Sequence, residues 1–162
     1  MPQTMANCLV VEDEPTVRVL VSDLLETWGH DVVGASSGGE AIERLREGQF
    51  DLVVLDLMLG AASGFDVLDE MRRLGVRDET RVVVLTARAT EWDYLLGWMR
   101  GADMYLTKPF DPTQLERVVR ETLNLTSEEL EERRRSELEK SQLLFKLETS
   151  FHETPDTDGL NR

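Results

Sequence analysis

Short apolar runs that stop at a polar residue recur along this chain, with stretches of helical periodicity between them. Asn7 to Val11 (NCLVV) leads into Glu12 and Asp13, and Asp51 to Leu55 (DLVVL) leads into Asp56. Arg81 to Leu85 (RVVVL) ends at Thr86, and Met104 to Leu106 ends near Lys108. His30 to Ala35 reads as one more strand. After the first run, Val17, Leu20, Val21, Leu24, Leu25 and Trp28 recur at helical intervals until Gly29. The cluster Ser36 to Gly39 leads into a helix carrying Ala41, Ile42 and Leu45. Further helices are expected over about Phe65–Leu74 and Trp92–Arg100. A last one starts near Pro112 and carries Leu115, Val118, Val119 and Leu123. Strand and helix therefore alternate five times with short links. That order predicts an α/β fold, a doubly wound parallel five-stranded sheet with helices on both faces. Strands buried on both sides are continuous apolar runs, and ligands of such sheets bind outside the carboxyl ends of the strands.

The polar residues at those ends form one constellation. Glu12, Asp13 and Asp56 would repel one another if left alone, so their convergence calls for a cation. Hard oxygen ligands with few fixed protein contacts suit Mg²⁺, which keeps several waters and favours phosphate as a co-ligand. A carboxylate beside Mg²⁺ can attack phosphorus and form an aspartyl phosphate. The added charge then needs donors, which Thr86, Lys108 and loop amides can provide. Singly, each residue reads as a loop, cap or surface residue. Five suitable residues at four strand ends read as a site.

Bulk properties narrow the classes. The 41% hydrophobic content supports a packed core, and the formal charge of −14 argues against direct binding to nucleic acid or anionic membrane. Cys8, the one cysteine, cannot form an internal disulfide and suits a reducing compartment. No apolar run nears the roughly 20 residues of a membrane span, and the first residues lack a signal-peptide pattern. A soluble, cytoplasmic protein is expected.

Four stretches carry a family resemblance: LVVEDEP at Leu9–Pro15, LVVLDLMLGAASGFDVL at Leu52–Leu68, VVVLTAR at Val82–Arg88 and GADMYLTKPF at Gly101–Phe110. From about Asn7 to Leu125 the chain resembles the receiver domain of two-component response regulators. The resemblance implies a flavodoxin-like (βα)5 fold with strand order 2-1-3-4-5. It implies Asp56 as phosphoacceptor, with Thr86 and Lys108 binding the phosphoryl group. Mg²⁺ would bind Asp13, Asp56 and the Met58 backbone carbonyl directly, and Glu12 mainly through water. Pro109 would follow a cis peptide bond that aims Lys108 inward, and Tyr105 with Thr86 would form the switch pair. The phosphoryl donor would be a sensor histidine kinase or a phosphotransfer protein. Two residues depart from the usual pattern: Gly60 replaces a proline, which should loosen the loop Leu59–Ser63, and Glu12 replaces an aspartate.

On these grounds the chain is expected to be a phosphorylation-dependent switch that signals to an unknown downstream protein by contact. It would catalyse only its own phosphoryl capture and hydrolysis. A phosphatase of the haloacid dehalogenase type is disfavoured, because Met58 stands where its acid/base aspartate would be. A phosphorylation-independent binding or dimerisation module is the alternative, but such degenerate receivers usually lose acids or lysine that are present here.

Trp92, Tyr94, Leu96 and Met99 crowd the fourth helix, and not all can face the core. Leu95 and Trp98 match the family's buried pair. The others would form an interface for a partner or a second copy, or would pack under the C-terminal extension. The chain divides into a receiver at 1–125, a helical extension at 126–151 and a disordered tail at 152–162. Thr126 to Glu148 lacks Pro and Gly, and starts a new helix at about Ser127 or continues the preceding one. Leu130, Leu138, Leu144, Leu147 and Phe151 follow a heptad only loosely. A coiled-coil dimer arm and a helix folded back on the domain both fit that pattern. Arg133–Arg135, flanked by acids, reads as a solvated, salt-bridged face.

Overall fold

The computed structural model describes residues 4–60, 62–87 and 90–152. Every residue of its central strand, β3 (Leu52–Asp56), is buried, as a strand covered on both faces must be. β3 pairs in parallel with β1 (Asn7–Val11) on one side and with β6 (Arg81–Thr86) on the other. β2 (Asp31–Ala35) flanks β1, and β7 (Met104–Thr107) flanks β6. Among the five long strands the order is therefore 2-1-3-4-5, as the sequence led us to expect. Two short strands, β4 (Met58–Leu59) and β5 (Ala62–Ser63), form a small antiparallel pair just after β3.

Alternate side chains of each strand enter opposite cores. Leu9, Val11, Val53, Leu55, Val82 and Val84 pack on one face. They meet α2 (Gly38–Glu47), α3 (Gly64–Arg73) and Trp98 of α4 (Glu91–Met99). Cys8, Val10, Leu52, Val54, Val83 and Leu85 pack on the other face, against α1 (Pro15–Thr27) and α5 (Pro112–Asn124). Truncating one such buried leucine to alanine costs about 2–5 kcal/mol. The Cys8 thiol is buried at the centre, where burial and then the charges of Asp51 and Asp31 push its pKa up to about 12.

Local chemistry starts the helices where the strands end. Ser37 and Ser63 accept backbone N–H bonds at the starts of α2 and α3. Thr90 with Asp93, and Asp111 with Gln114, form reciprocal capping boxes at α4 and α5. Leu125 is extended (φ −72°, ψ 142°), so α5 ends there, and a separate α6 (Ser127–His152) follows. Thr126, one residue before the start read from sequence, caps α6: its hydroxyl accepts the Glu129 N–H, and Glu129 accepts the Thr126 N–H at 2.7 Å.

α6 folds back along α4. Leu130 is buried, Leu138 packs against the core on the α4 side, and the Phe145 ring stands 5.2 Å from that of Trp92. Arg134 anchors the helix, bonding the buried Asp103 carboxylate at 2.5 Å and the Ala102 carbonyl at 3.3 Å. On α4, Leu95 and Trp98 are buried, Tyr94 and Leu96 are half-buried, and Trp92 and Met99 are exposed. Leu143, Leu144, Leu147 and Phe151 remain exposed on α6. The expected tail from Thr154 onward, and Arg88, lie outside the described residues. Among the described residues, no helix is long and apolar enough to cross a membrane.

His30 sits buried where β2 begins, its Nδ1 accepting the Ala6 N–H at 3.1 Å. Its Nε2 has no partner among the described residues. Burial holds the imidazole below its ordinary pKa of 6.5. The unfolded chain therefore gains a proton first as pH falls, and stability drops below about 6.5. We predict that urea midpoints of wild type fall faster than those of His30→Asn between pH 7 and 5. Using the difference removes the contribution of Glu12, which titrates nearby with the opposite sign. Parallel curves would refute the assignment.

Candidate functional site

The strands deliver their terminal residues to one edge of the sheet. Asp56 is the last residue of β3 and is only 6% exposed. Its Oδ1 accepts the Met58 N–H at 2.9 Å, and its Oδ2 accepts a bond from Lys108 Nζ at 2.9 Å. The same ammonium donates to Glu12 Oε2 at 2.8 Å, while Glu12 Oε1 accepts the Glu14 N–H at 3.3 Å. Asp13 is exposed beside them, and one carboxylate oxygen from each of Glu12, Asp13 and Asp56 lies within 4.8 Å of the others. Thr86, fully buried, ends β6. Its carbonyl accepts the Lys108 N–H at 2.8 Å. The Lys108–Pro109 peptide bond is cis.

The electrostatics follow from crowding. Burial, joined by the nearby Asp56 and opposed by Lys108, raises the Glu12 pKa to about 7. Burial works against the Lys108 charge, yet the bonds to Glu12 and Asp56 outweigh it and carry its pKa above the ordinary value. One ammonium cannot balance three carboxylates. A divalent cation fits this donor set: every side-chain donor is a hard oxygen, and Asp13 opens the cluster to solvent. The Met58 side chain is 65% exposed, and its backbone lies next to Asp56.

Two contributors were not singled out from sequence. Arg18, one helical turn into α1, donates to the Glu12 carbonyl at 2.8 Å and the Asp13 carbonyl at 3.5 Å, which steadies the acidic loop. Gly64 donates its N–H to the Leu57 carbonyl at 2.9 Å, and a Cβ there would overlap the Asp56 carbonyl and approach Leu57 Cα to 2.8 Å. Only glycine lets α3 start this close to the end of β3. Its place at the head of a helix, just after Ala62 and Ser63, was the available signal. Gly60 takes φ +60°, a conformation proline cannot adopt, so a proline could not stand there with this backbone.

Tyr105 lies apart from the acids. Its ring stands between Tyr94 and Trp98, with centroids 4.8 and 4.9 Å away, and its hydroxyl donates to the Asp93 carbonyl at 3.3 Å. Burial pushes its pKa up. Trp92, Tyr94, Leu96 and Met99 belong to this α4 region and not to the acidic cluster.

The family model for the response regulator receiver domain matches residues 8–120. The transcriptional regulatory protein YvrH of Bacillus subtilis (strain 168) is 36% identical over 122 residues, covering 75% of this chain and 50% of that protein. The phosphate regulon transcriptional regulatory protein PhoB of Escherichia coli (strain K12) is 41% identical over 107 residues, covering 66% of this chain and 47% of that protein. The chain thus spans about half the length of these relatives. Among solved structures, the response regulator protein TrrA of Thermotoga maritima, in complex with Mg²⁺ and BeF, superposes with a TM-score of 0.65 at 32% identity. That match covers 73% of this chain and 99% of TrrA.

A cation that binds only the folded cluster stabilises by about 2.7 kcal/mol at a hundred times its dissociation constant. Saturating Mg²⁺ should therefore raise the thermal midpoint of wild type by several degrees. Asp13→Asn should have a higher midpoint than wild type without Mg²⁺, because repulsion is relieved, and should gain little when it is added. Equal Mg²⁺ shifts in both proteins would contradict the site.

Proposed function

The chain belongs to the response regulator receiver domain family, and from that premise we propose that it is a phosphorylation switch with Asp56 as its phosphoacceptor. The observation that carries this reading is Lys108, whose ammonium joins Asp56 to Glu12 beside Asp13 at the strand ends. The donor is a phosphohistidine on a histidine kinase or phosphotransfer protein. An Asp56 carboxylate oxygen attacks phosphorus, the P–N bond to the imidazole breaks, and the imidazole leaves with the bond's electron pair. The Met58 amide holds the other Asp56 oxygen and so orients the nucleophile. Lys108 exchanges carboxylate partners for phosphoryl oxygens, and the Thr86 hydroxyl donates to another.

Glu12, Asp13, Asp56 and the Met58 carbonyl would hold Mg²⁺. When bound, the ion offsets the negative charge of carboxylates and phosphoryl oxygens brought together. Water later cleaves the acyl phosphate, so the chain catalyses only its own phosphorylation and dephosphorylation. The receiver at 1–125 carries the chemistry and the extension from 126 modulates its surface. Output passes through protein contact, in keeping with the acidic net charge of −14.

We predict that acetyl phosphate with Mg²⁺ phosphorylates wild type and that chelation stops the reaction. Asp56→Asn should abolish labelling, while Lys108→Ala and Thr86→Ala should slow it by about 10²-fold or more, in line with the loss of a positioned donor. Intact-protein mass against time measures all of these. Labelling of Asp56→Asn at the wild-type rate would overturn the assignment.

A further inference from the structure

α6 of the same chain lies along α4, next to β7, and covers part of the face that the two form. The cover is fastened at one end by the Arg134–Asp103 ion pair, with side chains 27% and 3% exposed, and by buried Leu130. Farther along, Leu138 and Phe145 make apolar contacts. Beside this seam, on the side of β7, a cleft of about 310 Å³ opens between α6 and the domain. Tyr94, Trp98 and Tyr105 form its floor, and Glu137, Lys140 and Ser141 of α6 form its roof. α6 thus seals against α4 and stands off β7.

Tyr105 in that floor is seated without slack. A Cβ on Gly97 would overlap the Tyr105 hydroxyl, so the ring fits against α4 only because residue 97 is glycine. β7, which carries Tyr105, is the edge strand of the sheet and is paired with β6. Its chain runs directly into Lys108, which is bonded at the site to Glu12 and Asp56. A strand of four residues (Met104–Thr107) thus joins the acidic site to the floor under α6.

We infer that α6 is a displaceable cover on the α4–β7 face, and that phosphorylation of Asp56 releases it. This rests on the phosphoacceptor reading above. A phosphoryl group on Asp56 draws Lys108 off Glu12, β7 shifts with it, and Tyr105 leaves its close seat against Gly97. Tyr94 and Trp98, which stack on Tyr105, carry that movement into α4, and α6 lifts from it. By reciprocity, a docked α6 resists phosphorylation, and loosening it favours phosphorylation.

The test is hydrogen exchange of the full chain over residues 127–145, with phosphorylated fraction read by intact mass on the same samples. Exchange in α6 should rise with acetyl phosphate and Mg²⁺ in wild type and stay flat in Asp56→Asn. Gly97→Ala should expose α6 without phosphodonor while β1 and β3 stay protected. Arg134→Ala should do the same and show a ratio of phosphorylated to unphosphorylated chain about 5-fold higher or more at the same donor concentration. Should Gly97→Ala lose protection in β1 and β3 as well, Arg134→Ala alone decides. Phosphorylated wild type with α6 still protected, or Arg134→Ala with the wild-type ratio of phosphorylated to unphosphorylated chain, overturns the cover and leaves the phosphoacceptor standing. Absence of phosphorylation in wild type overturns both.

Discussion

The ammonium of Lys108, 2.8 Å from Glu12 and 2.9 Å from Asp56, is the interaction on which the strand-end site depends. It ties the ends of β1, β3 and β7 together across sequence separations of 52 and 96 residues. Removing one member of a buried ion pair costs about 3–5 kcal/mol. Here the lysine side chain is 18% exposed, so the cost sits toward the low end. What matters more is the imbalance that remains. Three carboxylates share one lysine, leaving the cluster suited to a cation.

The sheet turns that local imbalance into a site with consequences at a distance. β3 and β1 are central and packed from both faces, so Asp56 and Glu12 are held firmly. β7 is the edge strand and carries their shared partner, Lys108, just past its end. On its way there it passes Tyr105, wedged against Gly97 beneath α6. The central strands hold Asp56, the proposed phosphoacceptor, and the edge strand links it to the surface. The C-terminal helix, through Arg134 and Asp103, sits where a change in that surface would be felt.

Much of this was legible in the sequence, because its signals are local. An apolar run that stops at an acid, threonine or lysine marks both a buried strand and its functional end. Four such ends placed Glu12, Asp13, Asp56, Thr86 and Lys108 on one edge of the sheet. The fate of α6 was not legible. Its leucines at 130, 138, 144 and 147 keep no strict heptad, and its firmest hold on the domain is an ion pair between Arg134 and Asp103. Apolar periodicity carries no trace of such a contact, and Arg134 looks like its neighbours Arg133 and Arg135. Close approaches were hidden for a related reason. Gly64 against Asp56 and Gly97 against Tyr105 are requirements of neighbours distant in sequence, and a lone glycine in a helical segment does not announce them.

The central claim is that this fold presents Asp56 as the one carboxylate that accepts a phosphoryl group. Borohydride trapping of the acyl phosphate, followed by peptide mass spectrometry, tests it most directly. After treatment with acetyl phosphate and Mg²⁺, the account predicts reduction at Asp56 and at neither Glu12 nor Asp13. Trapping at Asp13 instead, or no trapped residue from a chain that binds Mg²⁺, would contradict it.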